Sequence, residues 1–185
     1  MTGCAGQIGK ALIPALCERY GVKNVIATDV IKPAYSMENE FMQLDVTKAK
    51  KYMDMVKSAG TTKIIHLAAI LSASAEKNPE LAMDVNLNGF KNALECARET
   101  GALIYSPSTL AVYGPDAPKT RAGLNVSLRP TSIYGVTKVE NELLGAYYKQ
   151  RYGVDFRALR YVGIMSGEEL PMHGTTDYST GKAAC

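Results

Sequence analysis

Tyr134 and Lys138 are the residues whose types and spacing point most directly to chemistry. They stand four residues apart in a segment that reads as the start of a helix, and side chains at that spacing share one helical face. A phenol has a reference pKa near ~10, and an ammonium group held beside it favours the phenolate and lowers that pKa. The pair is therefore a candidate proton-transfer site, although the same spacing also occurs on ordinary solvated helices.

A hydroxyl partner for this pair follows an apolar run at residues 102–106, which predicts a buried strand. Ser108 and Thr109 come just after that run. Ligands of parallel sheets bind outside the carboxyl ends of the strands, so we expect these hydroxyls to face a ligand crevice. A hydroxyl, a phenol and an ammonium that meet there can orient a substrate alcohol and take its proton.

The opening segment has the glycine spacing of a dinucleotide-binding turn. Gly3, Gly6 and Gly9 form GxxGxxG, and a helical pattern follows from residue 10 to 20. Such glycines let the backbone approach a pyrophosphate, and the helix N-terminus favours its charge. Asp29 ends a β-branched run, where a carboxylate accepts from ribose hydroxyls and repels a 2′-phosphate. Each signal alone also fits an ordinary turn, but together they predict NAD rather than NADP.

Strand and helix patterns alternate along the rest of the chain. Strands are expected at residues 40–46, 63–69, 102–106 and 155–162, and helices at 47–59, at 84–100 and through 143–148. This alternation predicts an α/β fold with a doubly wound parallel sheet. We expect His66 to lie in the core, Ala68 and Ala69 to let a cofactor pass over a strand end, and Asn86 to contact the backbone of a neighbouring strand end.

Composition excludes several classes of function. With 46% apolar and 21% charged residues, the 185-residue chain has the make-up of a globular domain. Its 21 basic and 18 acidic residues are mixed along the sequence, so nucleic acid is not an expected partner. No membrane span or signal peptide is evident, which predicts a cytoplasmic protein, or a mitochondrial one if a targeting segment is missing. Four irregularly spaced cysteines and two histidines predict neither disulfides nor a metal site.

Taken together, these motifs resemble the extended short-chain dehydrogenase/reductase superfamily, which includes nucleotide-sugar epimerases and dehydratases. Three segments are similar to the short-chain type of L-threonine 3-dehydrogenase: residues 66–73, residues 129–138, and residues 160–164 with 174–178. The resemblance runs from about residue 2 to 179. It implies that L-threonine is oxidised by NAD to 2-amino-3-oxobutanoate.

The resemblance also implies a role for each matching residue. Tyr134 would remove the hydroxyl proton while hydride leaves the same carbon for the nicotinamide, Lys138 would lower the pKa of Tyr134 and bind the nicotinamide ribose, and Thr109, beside Ser108, would complete the catalytic set. The substrate would be held by Ser72, Ser108, Thr109, Tyr134, Thr175 and Thr176. NAD would be held by Gly3, Gly6, Gln7, Ile8, Gly9, Asp29, Asp45, Val46, Leu67, Ala68, Ala69, Asn86, Tyr134, Lys138 and Tyr161.

One NAD-binding domain is expected over residues 1–185, with a substrate-binding region starting at about residue 163. Relative to the family, most of the first, central strand and a C-terminal substrate-covering region are expected to be missing, and Val162 and His173 depart from the usual pattern. The complete protein is expected to be a homodimer. Two alternatives stay open: a nucleotide-sugar epimerase or dehydratase, and an inactive NAD-binding fragment.

Overall fold

The structure is a computed structural model that describes residues 1–164. Its α-helices are α1 (Gln7–Tyr20), α2 (Ala49–Ser58), α3 (Ser72–Lys77), α4 (Pro79–Met83), α5 (Gly89–Thr100) and α6 (Ile133–Tyr152). Its strands are β1 (Ile26–Asp29), β2 (Glu40–Gln43), β3 (Lys63–Ile65), β4 (Leu103–Tyr105), β5 (Ser108–Thr109), β6 (Phe156–Arg157) and β7 (Arg160–Tyr161). Turns of 3-10 helix lie at Val22–Asn24 and Leu110–Val112, and a π-helical turn lies at Asp84–Asn88.

The strand pairs described are all parallel. β1 pairs with β2, β3 with β4, β4 with β6, and β5 with β7. Thr2 joins the two halves of the sheet, because it bridges Thr28 in β1 and His66 just after β3. The strand order is therefore β2, β1, the segment at Thr2, β3, β4 and β6, with the short pair β5 and β7 following β4 and β6.

From the segment at Thr2, the chain first adds β1 and β2 on one side and then adds β3, β4 and β6 on the other side. The helices that connect these two sets of strands lie on opposite faces of the sheet. Crossovers between parallel strands are right-handed, so α1, which leads to β1, lies on the opposite face from α2, α5 and α6, which lead the other way. Two core clusters match this division. The larger one is built mainly from β3, β4 and helices α2, α5 and α6, and the smaller one contains Cys4, Ile13 and Ala27. The predicted doubly wound parallel α/β fold is confirmed.

Local contacts determine where α6 begins and ends. Ser132 caps its N-terminus, since the hydroxyl accepts from the N–H of Gly135 at 3.1 Å. The Glu76 carboxylate of α3 accepts from the N–H of Ile133 at 2.8 Å, where the helix dipole favours a negative charge. At the other end, Gly153 has a φ of 71°, the left-handed geometry of a helix C-cap. Helix α3 is thereby tied to the start of α6.

Several element bounds differ from the sequence-based expectation, for local reasons. The strand expected at 155–162 is split, because β6 pairs with β4 whereas β7 pairs with β5. The helix expected from residue 47 begins at Ala49, since Asp45 Oδ1 accepts from the N–H and the hydroxyl of Thr47. The helix expected from residue 84 opens with the π-helical turn that contains Asn86. Helices α3 and α4 were not expected.

None of the helices in residues 1–164 is both long and apolar enough to cross a bilayer. The same residues contain no cluster of three or more histidine, cysteine or acidic side chains that could hold a metal ion.

Candidate active site

Tyr134 and Lys138 lie in the first turns of α6 and share one face, as their spacing predicts. The ammonium nitrogen of Lys138 lies 5.7 Å from the centre of the Tyr134 ring. Lys138 is buried, and its ammonium donates to the main-chain carbonyl of Pro107 at 2.9 Å. Tyr134 is half-buried. The pair therefore stands beside the start of β5, where the two candidate hydroxyls are located.

The pKa values of this pair differ from the sequence-based expectation. Burial raises the pKa of Tyr134 to about 12, and a hydrogen bond with Thr109 acts in the opposite direction. Burial lowers the pKa of Lys138 to about 8. Burial dominates both pKa values, and the lowering of the Tyr134 pKa by Lys138 stays a prediction. The physical reason is that desolvation disfavours both charged groups, while the ammonium directs its hydrogen bond to a carbonyl.

Thr109 and Ser108 are neighbours in β5, but their hydroxyls have different surroundings. Thr109 is half-buried, interacts with Tyr134, and accepts from the N–H of Ala111 at 3.2 Å. Ser108 is buried, and its hydroxyl donates to the carboxylate of Glu142. The structure thus brings Thr109 to the Tyr134–Lys138 pair and engages Ser108 in a separate network.

That network centres on an ion pair that the sequence interpretation missed. Two nitrogens of Arg160 donate to the Glu142 carboxylate at 2.9 and 2.6 Å, and a third donates to the Tyr113 hydroxyl at 3.0 Å. Burial alone would raise the pKa of Glu142, but the hydrogen bonds from Arg160 and Ser108 outweigh it, so the pKa is lowered. Glu142 lies four residues after Lys138, and this i, i+4, i+8 series was the signal that could have revealed it.

In the glycine-rich turn, a side chain would collide with the backbone at two of the three glycines, whereas the third has room for one. Gly3 has a φ of 71°, and a Cβ there would lie 2.7 Å from the Ala68 nitrogen. A Cβ on Gly9 would lie 2.5 Å from the Gly3 oxygen. A Cβ on Gly6 would meet only the Gly3 oxygen, at 3.4 Å. Gly3 and Gly9 therefore allow the close packing of the turn, whereas Gly6 leaves its surface accessible.

Helix α1 begins directly after this turn, at Gln7. Gly6 is its N-cap and provides no side-chain acceptor, and the first turn contains no acidic residue. The N-cap position of α1 therefore lacks the side-chain acceptor that most helices have there. Gln7 Nε2 donates to the Ile164 carbonyl at 3.3 Å, and Ile8 is half-buried. This uncapped helix end is suited to an anionic group.

Asp29 lies against the glycine-rich turn, at the end of β1. One carboxylate oxygen accepts from the N–H of Ala5 at 2.9 Å, and the other accepts from the N–H of Val30 at 2.8 Å. Asp45 instead caps the turn before α2, and Val46 is buried against Gly89. Of these residues, Asp29 is the one that the structure places in contact with the turn.

The segment that follows β3 is held from two sides. Leu67 N donates to the Thr2 carbonyl at 3.2 Å, and Ala68 N to the Thr2 hydroxyl at 3.3 Å. The Asn86 amide accepts from Ile70 N at 2.7 Å and donates to Ile70 O at 3.1 Å, the expected contact to the backbone past a strand end. Asn86 also donates to the Thr137 hydroxyl at 3.0 Å, which ties this segment, including Ala69, to α6.

The remaining candidates are more dispersed. Tyr161 in β7 is the register partner of Thr109, and its hydroxyl accepts from Tyr105 at 2.7 Å. Ser72 is exposed at the start of α3. Thr175 and Thr176 lie outside the described residues. His66 is buried as expected, with Nδ1 3.2 Å from the Thr2 hydroxyl, and burial lowers its pKa to about 3.

A family model described as the NAD dependent epimerase/dehydratase family matches residues 1–181. An uncharacterized epimerase/dehydratase from Staphylococcus saprophyticus is 43% identical over 182 residues, which are 97% of this chain and 57% of that protein.

Two solved L-threonine 3-dehydrogenases have a similar fold. The monomeric enzyme from a metagenome, in its apo form, has a TM-score of 0.92 and 42% identity over 97% of this chain and 58% of its own. The enzyme from Trypanosoma brucei has a TM-score of 0.91 and 40% identity over 97% of this chain and 57% of its own. The chain thus spans somewhat more than half the length of these proteins. It belongs to the NAD-dependent epimerase/dehydratase family.

Proposed function

We propose that this chain is the NAD-binding and proton-transfer part of an L-threonine 3-dehydrogenase, which oxidises L-threonine to 2-amino-3-oxobutanoate. The observation that carries the proposal is the meeting of Tyr134, Lys138 and Thr109 at the start of α6 and the end of β5. The choice of threonine is supported by 40–42% identity to L-threonine 3-dehydrogenases. On this proposal, residues from about 163 onward begin the substrate-binding region.

The residues of the glycine-rich turn fit a dinucleotide. The open surface at Gly6 and the uncapped start of α1 suit a pyrophosphate, and Asp29 suits ribose hydroxyls. We assign the adenosine half to Gly3, Gly6, Gly9 and Asp29, with Asp45 as a further proposed contact. Lys138 and Tyr161 would lie at the nicotinamide half. When bound, NAD supplies the hydride acceptor for the carbon that bears the substrate hydroxyl.

Tyr134 is the proposed base, and its phenol must lose a proton before it can accept one from the substrate. With a pKa of about 12 the phenol is protonated near neutral pH, so substrate and cofactor binding must favour the phenolate. Lys138 has three ammonium donors and uses one for Pro107, which leaves two for a ribose hydroxyl and for the developing phenolate. Thr109 would orient the substrate alcohol, and the phenolate would take its proton.

The test is NADH formation by the purified chain with NAD and L-threonine, with a UDP-sugar offered in parallel. Threonine-dependent absorbance at the NADH wavelength supports the proposal. Conversion of the UDP-sugar instead, followed by chromatography because epimerisation and dehydration are redox-neutral and leave no net NADH, would favour the nucleotide-sugar alternative, which the name of the S. saprophyticus relative supports. Tight NAD binding without turnover of either substrate would favour the inactive fragment.

The matched variant is Tyr134→Phe, which removes one hydroxyl from the half-buried ring. We expect threonine turnover to fall at least ~100-fold, the size of a general-base contribution, while NAD affinity changes less than about twofold. Tyr113→Phe serves as a control, since that hydroxyl accepts from Arg160 in the separate network. Undiminished turnover by Tyr134→Phe would remove Tyr134 from the mechanism.

Homodimerisation is a second part of the proposal. Helix α6 exposes Leu143, Tyr147 and Tyr152, and long apolar side chains on one exposed helix are typical of a subunit contact. Sedimentation at two protein concentrations tests it: a concentration-dependent dimer supports this contact, and a monomer at both concentrations contradicts it.

A further inference from the structure

Thr137 connects the first turns of α6 to a distant part of the chain. Its side chain is fully buried, with 0% of its surface exposed. The hydroxyl oxygen lies 2.8 Å from the Tyr134 carbonyl oxygen and 3.0 Å from Asn86 Nδ2. Thr137 therefore contacts the residue that carries the proposed base through its main chain.

The Asn86 amide determines the direction of these hydrogen bonds. Ile70 N can only donate, so Asn86 must present Oδ1 to it, and the two atoms lie 2.7 Å apart. Nδ2 then donates to Ile70 O at 3.1 Å and to the Thr137 hydroxyl. Because this hydroxyl accepts from Asn86, its single proton is left for the Tyr134 carbonyl. Ile70, Asn86, Thr137 and Tyr134 thus form one series of hydrogen bonds, the Asn86–Thr137 link.

One end of the link lies beside the glycine-rich turn. Ile70 directly follows Ala68 and Ala69, and Ala68 N donates to the Thr2 hydroxyl at 3.3 Å. A Cβ on Gly3 would lie 2.7 Å from Ala68 N, so this segment lies in close contact with the turn. The link therefore reaches the segment over which the cofactor is expected to pass.

The other end of the link lies where α6 packs against the end of β5. A Cβ on Gly135 would collide with the Ala111 carbonyl oxygen and lie 2.7 Å from Pro130 Cβ. Ala111 N donates to the Thr109 hydroxyl at 3.2 Å. The first turn of α6 is therefore fixed on the Thr109 side by close packing, and Thr137 fixes it on the side of Ile70.

The link has no access to bulk water. Asn86 is only 1% exposed and lies within the π-helical turn Asp84–Asn88, a type of turn that is frequent at functional sites. A buried amide donor that loses its acceptor retains its desolvation cost, because bulk water does not replace the lost partner. Removal of the Thr137 hydroxyl should therefore displace the groups that it joins.

We propose that Thr137 is a positioning residue, whose hydroxyl holds the main chain of Tyr134 in a fixed arrangement with the Ala68–Ala69 segment. This inference rests on the proposed function, in which the phenolate takes a proton while hydride passes from the same substrate carbon to NAD. Base and cofactor must then be held together, and a misplacement of ~1 Å can cost on the order of 100-fold in rate. Thr137 acts through the Tyr134 carbonyl and through Asn86, not by contact with the substrate.

The test compares Thr137→Val, which replaces the hydroxyl by a methyl group of similar size, with Thr137→Ser, which keeps the hydroxyl. We expect Thr137→Val to lower kcat for L-threonine at least about tenfold while KM changes less than about threefold. Its NAD affinity, measured by calorimetric titration, should fall at least about fivefold, because the cofactor segment is less preorganised. Thr137→Ser should bring kcat and NAD affinity to within about twofold of the wild type.

Val154→Ala is the control for a general loss of stability. Val154 is buried just after the far end of α6, so its truncation lowers the free energy of unfolding without touching the Asn86–Thr137 link. We expect its NAD affinity and kcat to stay within about twofold of the wild type, since distant sites act independently. If Thr137→Val fails to fold, Thr137→Ala takes its place, because it leaves space for a water molecule to accept from Asn86. The same losses are expected.

Three results would overturn the inference. Wild-type NAD affinity and kcat in Thr137→Val would mean that the hydroxyl positions nothing. Equal losses in Thr137→Ser would assign the effect to packing of the methyl group, and equal losses in Val154→Ala would assign it to stability. The NAD titration needs no turnover. A wild-type chain that binds NAD without oxidising L-threonine would therefore contradict the proposed function, while the titrations of the variants would still decide this inference.

Discussion

The ammonium of Lys138 is bonded to the Pro107 carbonyl, which immediately precedes Ser108 in β5. This contact fixes the face of α6 that carries Tyr134 against the strand end that carries Thr109. It also places a buried positive charge beside a neutral acceptor, and burial lowers the pKa of Lys138 from its ordinary 10.5 to about 8. The geometry of the site and the protonation of its cation are therefore linked.

This link predicts a pH dependence of stability. Between pH 8 and 10.5 the folded chain holds Lys138 neutral while the unfolded chain holds it protonated, so the unfolded state binds more protons and stability rises with pH. Relative to Lys138→Met, the free energy of unfolding of the wild type should increase across this range by up to about 3 kcal/mol. Urea denaturation at several pH values measures the difference. A difference that is flat or falls with pH would contradict the prediction.

The buried His66 predicts a loss of stability at acidic pH. Burial lowers its pKa from 6.5 to about 3, so below pH 6.5 the unfolded chain takes up a proton that the folded chain does not. The wild type should lose about 2 kcal/mol relative to His66→Gln between pH 7 and pH 5, because one pKa unit corresponds to ~1.4 kcal/mol. Chemical denaturation at both pH values tests this, and parallel pH profiles of the two proteins would refute it.

The Glu142–Arg160 pair predicts a stability effect that surface ion pairs lack. Their side chains are only 19% and 12% exposed, so Glu142→Gln leaves a buried guanidinium without its counter-charge. We expect a loss of about 3 kcal/mol in the free energy of unfolding. The control is Asp54→Asn, whose partner Lys50 is 89% exposed, and it should cost less than about 1 kcal/mol. Similar losses for both variants would show that the buried pair has no special role.

Candidate residues that are recognised by short-range spacing could be predicted from the sequence. Gly3, Gly6 and Gly9 precede a helix, Asp29 ends a strand, and Lys138 lies one helical turn from Tyr134, so spacing alone located them. The parallel sheet followed from the alternation of elements for the same reason.

Contacts that depend on three-dimensional packing could not be predicted. Ser108 donates to Glu142, 34 residues away, in α6. The register of β5 and β7 places Arg160 opposite Ser108, and Arg160 also donates to Glu142. The raised pKa of Tyr134 depends on how deeply the ring is buried, which residue spacing does not specify. The split of the strand expected at 155–162 likewise depends on which neighbours β6 and β7 find.

Two glycines of the glycine-rich turn allow its role in stability to be tested separately from its role in cofactor binding. In Gly9→Ala the new Cβ would lie 2.5 Å from the Gly3 oxygen and 2.6 Å from the Cys4 oxygen, so the backbone must shift. We expect a loss of roughly 3 kcal/mol or more in the free energy of unfolding, as for other overpacked buried positions. Thermal and urea denaturation measure it. Wild-type stability in Gly9→Ala would show that the turn is less closely packed than these distances require.

Gly6→Ala is the counterpart, because its Cβ meets only the Gly3 oxygen at 3.4 Å and its φ is −77°. Stability should change by less than about 1 kcal/mol. NAD affinity should nevertheless fall at least about tenfold, since the methyl group occupies the surface that a pyrophosphate must approach. Calorimetric titration with NAD gives the affinity. If Gly6→Ala binds NAD as the wild type does, the pyrophosphate does not lie over Gly6, and the assignment of this turn to the cofactor must be withdrawn.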